Sequence, residues 1–117
     1  METAQKLKII FICTINRMRS ATAHEIYKTD ARFEVASAGT HESARNVVSL
    51  TLLEWADTIV VMEKHHRNYI RKHFPDIYQT KRIVCLYIPD EYDYMQAELI
   101  DLLKDKFESA YARGLLN

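Results

Sequence analysis

The chain predicts an α/β fold, a parallel sheet with helices on both faces. Short β-branched runs alternate with segments of helical spacing in the order β-α-β-α-β-α-β-α. The connections are short, and parallel neighbours joined this way need right-handed crossovers that lay the helices over the sheet. With 117 residues, two glycines, two prolines and no repeat or linker-like tract, residues 1–117 read as a single domain.

Leu7 to Ile12 is apolar and isoleucine-rich, the mark of a strand covered on both sides. Ser20 to Lys28 spaces Ala21, Ala23, His24, Ile26 and Tyr27 as a helix does, with Ser20 suited to its N-terminus. Phe33 to Ala38 alternates as a second strand and stops at Gly39. A helix over Val48 to Trp55 leads into an uncharged third strand, Thr58 to Met62. Glu63 to Phe74 reads as a polar helix ended by Pro75, Arg82 to Tyr87 as the fourth strand, and Met95 to Ala112 as a long amphipathic helix. In such sheets ligands bind at the carboxyl ends of the strands, near the switch in strand order.

Composition narrows the function. Lys and Arg number 16 against 16 Asp and Glu, so the chain lacks the electrostatic footprint of a nucleic-acid or membrane-surface binder. Met1 to Lys8 is polar and charged and is followed by only a five-residue apolar run, which predicts a cytoplasmic protein. Cys13 and Cys85 stand outside any Cys-x-x-Cys framework, so neither a disulfide scaffold nor a zinc site is indicated. His24, His41, His65, His66 and His73 lack ligand spacing backed by a carboxylate on the same face, and read as surface or partly buried imidazoles. No metal or cofactor is implied.

The chemistry gathers after the first strand, where Cys13 to Ser20 reads Cys-Thr-Ile-Asn-Arg-Met-Arg-Ser and runs directly into a helix. A five-residue loop wrapped around a sulfur can aim backbone N–H groups inward, and the helix N-terminus adds its partial positive charge. The product is an anion nest of phosphate size, formed by Thr14, Ile15, Asn16, Arg17, Met18, Arg19 and Ser20. Arg19 can offer a planar fork to two phosphate oxygens. The positive field favours a thiolate, the nucleophilic form of cysteine. Ser20 can donate a hydrogen bond to that sulfur and ease its departure.

Ile9 to Ser20 resembles the active-site loop of the low-molecular-weight protein tyrosine phosphatases. Ala36-Ser-Ala-Gly-Thr40 resembles that family's Ser-Ala-Gly segment, Ala44-Arg45 its Ala-Arg pair, and Trp55 to Glu63 its third strand. The likeness runs from about Lys8 to the last helix and is nearest to a short bacterial branch with an Ile-Pro-Asp-x-Tyr segment and an arginine inside the loop. It implies a three-layer sandwich with flavodoxin-like strand order 2-1-3-4. It further implies a metal-independent phosphatase for phosphotyrosine or a related aryl phosphate, with a phosphorylated protein or small aryl phosphate as partner. By carry-over Cys13 is the nucleophile, Arg19 the phosphate clamp and Asn16 a left-handed loop residue, with Ser37 in the same supporting network as Asn16 and Ser20. Asp90 in Ile88-Pro-Asp-Glu-Tyr-Asp-Tyr94 matches the general acid, with Asp93 as the alternative. Tyr92 and Tyr94 either wall the pocket or pack the last helix.

Departures from the family bear on function. Ile15 stands where glycine is usual, and Met18 stands where a second cysteine would protect Cys13 against over-oxidation. Arg17 adds a positive charge at the rim, suited to substrates with acidic neighbours or to a different phosphorylated ligand. The chain is shorter than typical members around the second helix, which supplies much of the pocket wall. Cys85 reads as a core residue. The basic run Lys64-His-His-Arg67 with Arg71-Lys72-His73 reads as a solvated helix face or, alternatively, as a docking face for phosphoproteins. An arsenate reductase of this fold needs two further cysteines and a phosphotransfer carrier lacks the arginine. The competing function is a catalytically weak module that holds a phosphorylated partner.

Overall fold

The computed structural model describes residues 5–117; Met1 to Ala4, part of the polar N-terminal segment, lie outside the described residues. Four strands form one parallel sheet in the order β2-β1-β3-β4, as expected: β1 (Leu7–Cys13), β2 (Phe33–Gly39), β3 (Thr58–Val61) and β4 (Arg82–Cys85). Register places Cys13 beside Gly39 and Ile12 beside Val61. Helices α1 (Arg19–Tyr27), α2 (Leu50–Trp55), α3 (Lys64–His73), α4 (Pro75–Thr80) and α5 (Ala97–Ala112) complete the described elements.

The side-chain period of two in β1 divides the core between the faces. Ile9, Phe11 and Cys13 pack with Ala23 and Tyr27 of α1 and with Leu99, Leu103 and Phe107 of α5. Ile10 and Ile12 pack on the opposite side with Leu53 of α2, Ile70 of α3 and Ile77 of α4. This arrangement covers β1 on both faces, which explains its near-continuous apolar sequence. Among the described residues, no helix is long and apolar enough to cross a membrane.

The structure corrects some boundaries. Pro75 both stops α3 and starts α4, because a ring without an N–H fits the first turn of a helix, so a helix stands where the sequence reading placed none. The fourth strand ends at Cys85 rather than Tyr87, since Tyr87 takes a left-handed φ of 55°. The second helix begins at Leu50 because Ser49 caps it, accepting a hydrogen bond from the Leu52 N–H, while Val48 bonds to Gly39 O instead. Glu63 and Phe74 flank α3 as its caps, and α5 starts at Ala97, two residues beyond the left-handed Met95.

Candidate active site

Strand order places the loop after β1 beside the loop after β3. The first leads to α1 on one face and the second to α3 on the other, leaving a crevice between them at the carboxyl edge. Within it, the β1 loop turns three carbonyls outward. Cys13 O accepts from Thr40 N–H, Thr14 O from His41 N–H and Ile15 O from Arg45 N–H, at 3.0, 3.0 and 2.9 Å. Because each peptide is planar and trans, the N–H of the following residue faces the other way. The Asn16 N–H accordingly points at Cys13 Sγ, 3.2 Å away, and among the described residues no backbone acceptor takes the N–H of Thr14, Ile15, Arg17 or Met18.

Two residues make this wrapping possible. Asn16 holds a left-handed φ of 61°, a conformation that asparagine tolerates better than most side chains. Gly39 lies directly behind the loop, where a β-carbon would stand 2.4 Å from Thr14 O and 3.0 Å from the Ile15 carbonyl carbon. Only a residue without a side chain allows the loop backbone to approach this closely.

Cys13 is buried, and its sulfur lies 2.9 Å from Ser20 Oγ. Ser20 Oγ accepts from Asn16 Nδ2 at 2.8 Å, which leaves the hydroxyl proton free to be given to the sulfur; Ala38 O, at 3.5 Å, is the weaker acceptor. The sulfur thus faces two donors, the Asn16 amide N–H and the Ser20 hydroxyl.

Arg19 is only 2% exposed, and its orientation is fixed by one end of the guanidinium. Nη1 donates to Glu63 Oε1 and, at 2.8 Å, to Ile88 O. Partial burial pushes the Glu63 carboxyl up, but the hydrogen bond and charge of Arg19, aided by His65, outweigh it and hold it below the usual carboxylate range. With Nη1 occupied, Nε and Nη2 remain as the fork for a ligand. Among the described residues Nε meets only Asp90 Oδ1, at 3.9 Å, on a side chain that is 66% exposed.

His66 supports the loop from the β3 side, and here the reading of the histidines needs correcting, because this ring is fully buried and bonded at both nitrogens. Nδ1 accepts from the Glu63 N–H at 3.0 Å, so the ring proton sits on Nε2, which donates to Thr14 Oγ1 at 3.0 Å. Glu63, His65 and His66 each bring one potential ligand atom to within 4.8 Å of the others. His66 is fully bonded and Glu63 is held by Arg19, so these two serve as a support for the loop.

Burial, aided by the charges of His65 and Arg19, lowers the His66 pKa to about 3. An unfolded histidine titrates near 6.5, so the unfolded chain takes up this proton first as pH falls. Stability from this group is complete above pH 6.5 and is lost progressively from there toward pH 3. We expect His66→Gln, which does not titrate, to remove about 2 kcal/mol of the stability difference between pH 7 and pH 5. Urea unfolding of both proteins at the two pH values measures it, and an identical pH dependence would refute a ring held neutral in the folded state.

The pocket these elements enclose has a volume of about 170 Å³ and is lined by Cys13, Thr14, Ile15, Arg17, Met18, Arg19 and Asp90. That suits a phosphate group rather than a drug-sized ligand, whose sites run to roughly 300 Å³ and above. Three solved structures show what the fold is similar to. The low-molecular-weight protein tyrosine phosphatase SP-PTP from Streptococcus pyogenes superposes with a TM-score of 0.75 at 16% identity over 92% of each chain. The chain has the low-molecular-weight protein tyrosine phosphatase fold. Wzb from Vibrio vulnificus, solved with benzylphosphonate, gives 0.68 at 20% identity over 93% of this chain and 97% of its own. The YwlE arginine phosphatase from Geobacillus stearothermophilus gives 0.60 at 20% identity over 92% and 96%. No protein-family model and no curated protein sequence matches the chain.

On this fold the residues singled out from the sequence divide into three groups. Cys13, Arg19 and Asp90 meet at the pocket, whereas Asp93 is not among its lining residues. Asn16 and Ser20 lie beneath the sulfur. The polar groups of Ser37 are engaged away from the loop: its hydroxyl pairs with His24 Nδ1 at 2.8 Å and its carbonyl accepts from Asn46 Nδ2. Tyr92 packs against the core under α5, and Tyr94 lines a separate cavity with His24, Lys28 and Arg45, so neither walls the pocket. Cys85 is half-buried against the opposite core, and burial pushes its thiol pKa up. Glu63 and His66 are the contributors that sequence reasoning missed.

Proposed function

We propose that the protein is a cytoplasmic phosphatase that hydrolyses phosphotyrosine or a related aryl phosphate monoester through a phosphocysteine on Cys13. The convergence of Cys13, Arg19 and Asp90 on one phosphate-sized pocket carries this reading. The Cys13 thiolate attacks phosphorus while the bond to the aryl oxygen breaks, and Asp90 gives its proton to the leaving oxygen. Arg19 Nε and Nη2 and the inward N–H groups hold the phosphoryl oxygens through the step. Water then attacks the phosphocysteine and passes a proton to the Asp90 carboxylate. The sulfur–phosphorus bond breaks, and Ser20 stabilises the released thiolate.

Asp90→Asn tests the acid. Phenyl phosphate expels a basic phenolate and needs the proton, so its kcat should fall about 10²-fold or more, whereas p-nitrophenyl phosphate, with its weakly basic leaving group, should lose much less. Equal losses on both substrates would remove Asp90 from the acid role. A second reading, a phosphate-binding module with weak turnover, draws support from the absence of any aromatic side chain among the pocket's lining residues. Phosphate binding at the loop without hydrolysis of either ester would favour it.

A further inference from the structure

We propose that the outer face of α3 is a docking surface for an acidic segment flanking the phosphorylated residue of a polypeptide substrate. The inference rests on the phosphatase reading and specifies its substrate class. Lys64, Arg71 and Lys72 are exposed and fall at helical positions i, i+7 and i+8, so they share one face with Asn68 and together line an open groove. Arg67 stands beside them, half-buried. Among the described residues, none of these four cations is ion-paired or hydrogen-bonded through its side chain, and α3 contains no Asp or Glu.

The neutral formal charge of the chain conceals this concentration. Residues 90–103 carry Asp90, Glu91, Asp93, Glu98 and Asp101 with no lysine or arginine, so the two signs occupy different elements. An isolated stripe of four unpaired cations attracts an anionic partner, and its effect is on encounter and orientation.

Position ties the stripe to the pocket. Lys64 directly follows Glu63, the residue that grips Arg19, so the stripe starts at the catalytic edge and leads away from it. From Lys64 to Lys72 the helix rises about 12 Å, the reach of about four residues of extended chain. Acidic side chains within a few residues of the phosphorylated one, on one side, would therefore meet the stripe while the phosphate occupies the loop. The acidic loop around Asp90 and Glu91 disfavours the same residues on the other side.

The test compares two phosphotyrosyl peptides, one with a run of four Asp or Glu beside the phosphotyrosine and one with Ser and Gln there. In the wild type at low salt, kcat/KM should favour the acidic peptide by about tenfold or more, and the preference should shrink as salt rises. The triple variant Lys64→Glu, Arg71→Glu, Lys72→Glu should abolish the preference, and the corresponding triple Gln variant should show an intermediate one. Both should leave p-nitrophenyl phosphate turnover unchanged, which also reports that they fold. No preference in the wild type, or parallel loss on p-nitrophenyl phosphate, overturns the proposal. Should the wild type hydrolyse none of these esters, the phosphatase reading fails, and fluorescence anisotropy of the same peptides on the wild type and the triple Glu variant decides docking independently. An unphosphorylated acidic peptide or a DNA duplex binding as tightly, with the same sensitivity to the Glu substitutions, overturns it in favour of a general polyanion surface. A salt-reversible dimer in sedimentation, lost in the triple Glu variant, overturns it in favour of a second copy of the chain.

Discussion

Replacing Cys13 with serine is expected to lower turnover of p-nitrophenyl phosphate by roughly 10⁴-fold or more while phosphate binding persists. The two effects separate because the pocket binds and reacts through different atoms. Arg19 keeps Nε and Nη2 for the phosphate, held by Glu63 and Ile88, neither of which depends on the sulfur. The inward N–H groups are set by the bonds from Thr40, His41 and Arg45 to the loop carbonyls, which a serine leaves intact. The nucleophile alone is lost, because a serine hydroxyl has no base beside it, only the Asn16 amide N–H and the Ser20 hydroxyl, which is itself bonded to Asn16. Isothermal titration with phosphate and steady-state kinetics measure both effects. Quenched-flow mass spectrometry of the wild type should show a phosphoryl adduct on Cys13. Retention of more than about a hundredth of the activity by the serine variant would rule out the phosphocysteine route.

The parts of the site that were legible in the sequence are those contiguous in it. Cys13 to Ser20 carries nucleophile, nest and clamp within eight residues, flanked by a strand and a helix whose patterns are clear, so its chemistry could be read without knowing what packs around it. Gly39 was visible only as a strand stop. Its role in admitting the loop backbone depends on β2 lying beside β1. Glu63 and His66 reach Arg19 and Thr14 across sequence separations of 44 and 52 residues. Nothing local marks them, since a glutamate at a helix start and a histidine in a basic run are both ordinary. The signal that could have found them is topological: in the order 2-1-3-4, residues just after β3 must face the loop after β1. The same lack of tertiary information leaves Tyr92 open between pocket wall and core in the sequence, and the fold packs its ring against the core. Ser37 was assigned to the loop although its hydroxyl is taken by His24.

Glu63 is therefore expected to matter nearly as much as the residues read from the motif. Arg19 is buried, and among the described residues only Glu63 neutralises its charge at close range, since Asp90 is exposed and 3.9 Å away. Removing the carboxylate with Glu63→Ala leaves a buried guanidinium without its close counter-charge and Nη1 held by Ile88 O alone, so the fork is less firmly aimed at the ligand. The cost in stability should be about 1–3 kcal/mol, below that of breaking a fully buried pair because Glu63 is one-third exposed. The cost in kcat/KM should be about 10²-fold, the scale of a misplaced catalytic group. Glu63→Gln keeps an acceptor for Nη1 without the charge, so it should fall between the wild type and Glu63→Ala in both respects. A double-mutant cycle with Arg19→Lys separates positioning from general disruption. Lysine cannot bond Glu63 and still offer a fork, so Glu63→Ala should cost little further activity in the Arg19→Lys background. Losses that simply add in the double variant would show that Glu63 acts on the fold and not through Arg19.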